Sequence, residues 1–226
     1  VRKIPTLFRR DPDDLRHVTR EVHPDCQWVM AGEGIPTRKY DGTCVGYFPA
    51  VRGEIRVHGG VGSGEVNEPS DLTGVWLARR EVKPGRAFPP GYVAEQADPV
   101  TGKNVGWEPM AQSSFAKFHA EAADKIMDNG ETWGVPVLGA TYELVGPKIN
   151  GNPYGLNEHV LVRHGYQAAV DYNAMQTIAL DFDSLREWLL GHPAWEGVVW
   201  HHPDGRMAKL KRRDVLAAGA AVAPQS

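Results

Sequence analysis

Hydrophobic positions along the chain fall mostly into short alternating runs, with two stretches of helical spacing among them. Residues 26–31, 43–48, 75–82, 137–145, 158–164, 197–200 and 207–210 read as strands. Residues 113–128 place Phe115, Phe118, Ala122 and Ile126 at roughly helical intervals. A second helix is expected from Leu180 to Leu190, with Asp183 or Ser184 near its start and Gly191 just past its end. Near the N-terminus, Asp11-Pro12-Asp13-Asp14 reads as the cap of a short helix ending near Arg20. Glu33 to Asp41 reads as a polar turn, and His202-Pro203-Asp204-Gly205 as another. Residues 50–72 read as a hairpin or inserted loop, 83–109 as a long loop region, and Ala217 to Ser226 as a frayed tail. Strands outnumber helices and show no βαβ rhythm. The expected class is α+β with mainly antiparallel sheets, in one domain spanning residues 1–226.

Composition narrows the picture in three respects. A hydrophobic content of 42% with 23% charged residues is that of an ordinary globular chain, and 25 glycines and 17 prolines favour strands and loops over a helical bundle. The net charge of −3 argues against coating nucleic acid by bulk electrostatics, yet is compatible with a local basic groove. The sharpest basic cluster is Arg206, Lys209, Lys211, Arg212 and Arg213. The two cysteines, Cys26 and Cys44, form no CxxC pair, so a reducing, cytoplasmic setting is expected. No stretch has the length or apolar character of a membrane span or signal peptide.

Three segments hold residues suited to phosphate chemistry. Arg38-Lys39-Tyr40-Asp41-Gly42 offers a lysine, a carboxylate two residues later and a glycine that lets the chain pass close to a ligand. A lysine attacks phosphorus only as the free amine. At an ordinary pKa near ~10.4 only about a thousandth is neutral at physiological pH, so a catalytic lysine needs desolvation or neighbouring cations. Taken alone, such a segment equally describes a solvated turn. Glu143, in Thr141-Tyr142-Glu143-Leu144 before a Gly/Asn-rich loop, could bind ribose hydroxyls or a hydrated metal ion, or could simply be an exposed strand glutamate. In Glu196-Gly197-Val198-Val199-Trp200 and Met207-Ala208-Lys209-Leu210-Lys211, strand alternation puts Lys209 and Lys211 on one face. Two ammonium groups side by side repel unless an anion or solvent intervenes, and a triphosphate would satisfy both. The plainer alternative is a cationic strand edge that discourages aggregation. His201-His202 carries no metal spacing, because neighbouring strand residues face opposite ways. Trp107, Trp133 and Trp200 are candidates for base stacking, although a core tryptophan is commoner.

Taken in order, KxDG, YEL-G, EGVVW and KLK resemble motifs I, III, IV and V of the covalent nucleotidyltransferases, the superfamily of DNA ligases, RNA ligases and mRNA capping enzymes. Lys3-Ile4-Pro5-Thr6-Leu7-Phe8, the stretch from Gly32 to Thr43, Gly146-Pro147-Lys148-Ile149-Asn150-Gly151-Asn152-Pro153, and Glu196 to Gly205 resemble the 5′-3′ RNA ligase family related to the human enzyme. This resemblance covers most of the chain.

It implies a nucleotidyltransferase (ligase adenylation) fold and ATP-dependent joining of a 5′-phosphate RNA end to a 3′-hydroxyl through a covalent lysyl-AMP. Lys39 matches the family nucleophile, with Arg38, Asp41 and Gly42 beside it in the nucleotide site. Glu143 matches the motif III carboxylate, near ribose or metal, and Glu196 the motif IV carboxylate that helps place Mg2+. Lys209 and Lys211 match the lysines that hold the α-phosphate, and either Arg79 or Arg80 matches the phosphate-contacting arginine. Thr43-Cys44-Val45 departs from the many ligases that carry an arginine shortly after KxDG. DNA ligases and capping guanylyltransferases usually add an OB-type domain after motif V. About fifteen residues follow Lys211, so no such domain is expected. From another class, a nucleotide or RNA-end sensor without catalysis would share the fold.

Overall fold

The computed structural model describes residues 4–51, 54–55, 72–98, 101–127, 134–165 and 169–216. Strands β1 (Phe8–Arg10) and β2 (Val18–Val22) lead to the short helix α1 (Gln27–Met30) and strand β3 (Ile35–Lys39). There follow β4 (Thr43–Val51), β5 (Glu54–Ile55), β6 (Leu72–Val82), β7 (Val93–Ala97), β8 (Asn104–Pro109), α2 (Ala116–Ala122) and β9 (Ile126–Met127). The remaining elements are β10 (Ala140–Val145), β11 (Val160–Arg163), α3 (Ala169–Gln176), α4 (Phe182–Gly191), β12 (Gly197–His201) and β13 (Met207–Lys211). The fold is α+β with mainly antiparallel sheets; among the named strands of the described residues only β9 and β11 pair in parallel, with one isolated parallel bridge between Thr6 and Lys209. No helix among the described residues is long and apolar enough to cross a membrane.

Contacts divide the chain into two compact units. One takes in the described part of Asp41–Tyr166, the other that of Lys3–Tyr40 and Gln167–Ser226. The first is built on a sheet of order β7-β8-β6-β4-β10-β11-β9, with β5 pairing on β4. Alternation gives its two faces different cores. Val45, Ala78, Tyr142 and Leu144 pack with Ala122 of α2 and with Ile149, while Phe48, Leu77 and Trp107 cluster on the opposite face.

His119 of α2 lies in the first of these cores, buried against Trp76 with ring centroids 4.6 Å apart. Burial lowers its pKa to about 4. The unfolded chain therefore binds a proton that the folded chain refuses as pH falls from the ordinary histidine value near ~6.5 towards 4. Stability present above that window is lost across it, by up to about 3 kcal/mol. Chemical denaturation between pH 7 and pH 4.5 will show this slope, and His119→Leu will flatten it.

The second unit holds the three-stranded sheet β13-β12-β3 and the β1-β2 pair. Val198, Trp200, Ala208 and Leu210 form one face of the larger sheet. They pack with Leu7, Phe8, Trp28 and with Leu185 and Leu189 of α4, which lie one helical turn apart. The Asp181 carboxylate caps α4 by accepting from Ser184 N–H at 2.9 Å, two or three residues before the expected cap.

Several local expectations are corrected by the structure. The acidic run near the N-terminus makes side-chain-to-backbone turns, Asp11 to Asp13 N–H and Asp14 to Arg16 N–H, and joins strands rather than opening a helix. Residues 26–31 form helical turns because Pro24 starts a turn capped by His23, and Trp28 and Val29 face the core. The polar stretch 33–41 contains β3, which owes its extension to pairing with β12 and not to its own apolarity. The long loop at 83–109 contains β7 and β8, and helix 113–128 is shortened to α2 before β9. Helix α3 had no expected counterpart. Residues 50–72, apart from Ala50, Val51, β5 and Leu72, lie outside the described residues, as do Trp133 and 217–226.

Candidate active site

Antiparallel register explains why one face of the three-stranded sheet becomes cationic. Gly197 of β12 stands opposite Lys39 on one side and Lys211 on the other; Val199 stands between Thr37 and Lys209. Residues directly opposite, and residues two apart on a strand, share a face. Lys39, Lys209 and Lys211 therefore project from the same side, away from the Val198 and Leu210 core. The burial pattern of β13 alternates accordingly, with Ala208 and Leu210 buried and the lysines partly so.

The Glu196 carboxylate binds two of these lysines. Lys39 Nζ donates to Glu196 Oε2 at 2.6 Å and to the Tyr40 carbonyl at 3.3 Å, while Lys211 Nζ donates to Glu196 Oε1 at 2.5 Å. Lys39, Glu196 and Lys211 side chains are only 21%, 14% and 16% exposed, so water screens them weakly. Lys209 lies close by, and burial pulls its pKa down to about 8, with the Lys211 and Lys39 charges adding to the effect. The Lys39, Lys209 and Lys211 ammonium groups with Arg10 outnumber the Glu196 and Asp214 carboxylates, an excess of positive charge that fits an anion such as phosphate. At the end of β13 the buried Asp214 accepts from Lys211 N–H at 3.1 Å and from Arg10 at 2.8 Å, fixing the strand that carries Lys209 and Lys211.

Gly197 is required where it stands. A Cβ there would lie 2.2 Å from Leu210 O and 2.8 Å from Lys211 Cα. Gly197→Ala is expected to cost about 2–3 kcal/mol of stability by forcing β12 from β13. A fall in the unfolding midpoint on chemical denaturation is the measurement to make.

The other unit holds a separate polar cluster. Gly42 N–H donates to Glu143 Oε1 at 2.9 Å, and His164 Nε2 lies 2.9 Å from Glu143 Oε2. Asn150 Nδ2 donates to Asp41 Oδ1 at 2.9 Å and to the Gly42 carbonyl at 3.0 Å, and Asp41 N–H donates to the Tyr154 hydroxyl. Asp41 and Glu143 thus hold backbone and amide partners that order this turn.

The same sheet separates Arg79 from Arg80. Glu143 pairs with Cys44; continuing the β4-β6 register one residue past Val45 and Ala78 puts Cys44 opposite Arg79, which pairs with Trp107. Arg79 therefore shares the face of Glu143. Arg80 projects with Ala78 from the opposite face, where it lies 3.5 Å from the buried Glu108.

Arg38 does not join Lys39. One position earlier on β3, it projects from the opposite face, donating to Ala194 O at 2.9 Å and lying over the Tyr40 and Trp195 rings. Trp107 is fully buried with its indole N–H on Glu95, and Trp200 is core, so neither offers a stacking surface. His201 contacts Thr37 Oγ1, and His202 lies between Glu33 and Asp204. His164, Tyr154, Arg10 and Asp214 were not foreseen as site residues. Only Asn150, within the Gly/Asn-rich loop, had a visible signal.

The family model described as RNA ligase 1 matches residues 128–218, which takes in Glu143, Glu196, Lys209 and Lys211. Curated proteins named RNA ligase 1 are similar as well. The one from Danio rerio is 30% identical over 163 residues, covering 61% of this chain and 46% of its own length. That from Pongo abelii is 31% identical over 167 residues, covering 61% and 50%. One from Rattus norvegicus is 36% identical over 83 residues, covering 34% and 24%. The chain spans about half the length of the first two relatives.

Proposed function

We propose that this chain, a relative of the RNA ligase family, joins RNA 5′-phosphate and 3′-hydroxyl ends with ATP through a covalent AMP on Lys39. The observation that carries this reading is the row Lys39, Gly197, Lys211, with Glu196 bonded to both ammonium groups and Lys209 alongside.

Each step is an in-line displacement at phosphorus. The free amine of Lys39 attacks the α-phosphorus of ATP; the Nζ–P bond forms, the bond to pyrophosphate breaks, and pyrophosphate leaves. Glu196 Oε2, 2.6 Å from Nζ, is the group in reach of the departing proton. Lys209 and Lys211 offset charge on the phosphate oxygens. An oxygen of the RNA 5′-phosphate then attacks the AMP phosphorus and frees Lys39, leaving a 5′-5′ adenylylated end. Finally the 3′-hydroxyl attacks the former 5′-phosphate, losing its proton, and AMP departs.

Glu196 is also the fitting ligand for Mg2+, because its present partners are flexible ammonium ends that a phosphate would draw off. When bound, the ion would supply further charge neutralisation at the phosphate oxygens. Glu143 fits less well as a metal ligand, since both its oxygens are held by a backbone N–H and an imidazole. On the Glu143 face, Arg79 is the arginine assigned to phosphate in preference to Arg80.

Incubation with alpha-labelled ATP or GTP and magnesium, followed by denaturing electrophoresis, tests the proposal. Acid-labile label from ATP is the expected result. Label from GTP alone would move the assignment to capping chemistry. A preparation free of prebound AMP that binds ATP yet retains no label would be a nucleotide sensor.

A further inference from the structure

His164 follows directly on β11, and its ring joins two residues of β10. Nδ1 lies 2.8 Å from Thr141 Oγ1 and Nε2 lies 2.9 Å from Glu143 Oε2. Thr141 and Glu143 are two apart on one strand and so share a face. The His164 backbone N–H donates to Thr141 O at 2.9 Å, extending the β10-β11 pairing so that the ring stands over that face. The side chain is 37% exposed, so its position is held by polar partners rather than by a packed core.

Donor and acceptor roles in this chain of groups are determined by its end. An ionised carboxylate only accepts, so His164 Nε2 carries a hydrogen and donates to Glu143. In the neutral ring Nδ1 is then the acceptor, and the Thr141 hydroxyl donates to it. The other oxygen of Glu143 receives Gly42 N–H at 2.9 Å, while Asn150 takes the Gly42 carbonyl at 3.0 Å. Both polar groups of Gly42 are thereby held. The approach also demands glycine, since a Cβ at this position would lie 2.3 Å from Leu144 O and 2.8 Å from Glu143 Cγ.

We propose that Thr141, His164 and Glu143 form a clamp on the Gly42 amide, and that His164 is a positioning residue for nucleotidyl transfer. The clamp fixes the chain three residues beyond Lys39, and its catalytic consequence rests on reading Lys39 as the nucleophile. Histidine is suited to the task because one rigid ring spans the Thr141 hydroxyl and the Glu143 carboxylate at once.

The test compares the full chain with His164→Ala, His164→Gln and Thr141→Val. Amide exchange at Gly42 and the dependence of adduct formation on ATP concentration are both measured. His164→Ala is expected to speed Gly42 exchange and to lower the maximal rate of adduct formation roughly tenfold or more, with half-saturation by ATP changed far less. His164→Gln, whose side-chain N–H can reach Glu143, should restore most of both, and Thr141→Val should fall between. Unchanged Gly42 exchange in His164→Ala would overturn the clamp. So would His164→Gln behaving like the alanine variant, the mark of a merely structural residue. Absence of any adduct on the unaltered chain would count against the Lys39 reading instead, and Gly42 exchange would still decide the clamp.

Discussion

Lys39→Arg will leave no covalent nucleotide on the chain. Arginine keeps the positive charge and much of the reach towards Glu196, but a guanidinium stays protonated and offers no free amine. The substitution therefore separates electrostatics from nucleophilicity. Because Lys209 and Lys211 remain, noncovalent ATP binding should persist within several-fold of the unaltered chain, while labelled adduct falls to background. Lys39→Ala should likewise give no adduct, and its ATP binding should be weaker, since it also removes a cation from the face. Recovery of an acid-labile adduct on either variant would sink the assignment of Lys39.

The second large effect is expected at Glu196. Glu196→Gln is nearly isosteric, yet it turns one of two acceptor oxygens into an NH2 group facing an ammonium, and it removes the carboxylate bonded to both Lys39 and Lys211. The carboxylate bonded to Lys39 Nζ is lost, together with the oxygen ligand proposed for magnesium. The rate of adduct formation should fall by about 10²- to 10³-fold, the range for loss of one preorganised electrostatic group. Stability should fall too, by roughly 1–3 kcal/mol, because removing one partner of a mostly buried ion pair strands the other charges. Single-turnover labelling measures the first effect and chemical denaturation the second. A wild-type labelling rate in Glu196→Gln would remove Glu196 from the chemistry, whatever the change in stability.

The two substitutions also differ in kind. Lys39→Arg removes the proposed nucleophilic atom, so added ATP or magnesium should not restore labelling. Glu196→Gln weakens placement and charge balance, so its defect should be eased in part by higher magnesium if the carboxylate acts as a metal ligand.

Much of this site was legible one strand at a time. In β13 the alternation of Ala208, Lys209, Leu210 and Lys211 places both lysines on one face, as two-residue periodicity requires. The apolar stretch 197–200, the helix expected over 180–190 and found at Phe182–Gly191, and the α+β class followed from local pattern in the same way. Other segments misled for identifiable reasons. Polar β3 gave no periodic apolar signal and is extended because it pairs with β12. The strands within 83–109 are short and separated by Gly/Pro turns, so the turns dominated the local reading.

The sequence by itself determined which chemical groups the chain possesses and which strand faces can carry them, because side-chain identity and strand alternation are local properties. The tertiary structure alone decided register. It brought Lys39 to Glu196 across 157 residues, set Lys39 and Lys211 on either side of Gly197, and chose Arg79 over Arg80 for the Glu143 face. It also put His164 against Glu143, a pairing between strands that no motif encodes. The physical reason is that a one-residue slip leaves every local pattern intact while turning a whole strand's side chains to the opposite face, and only packing and backbone pairing with distant strands select between the two.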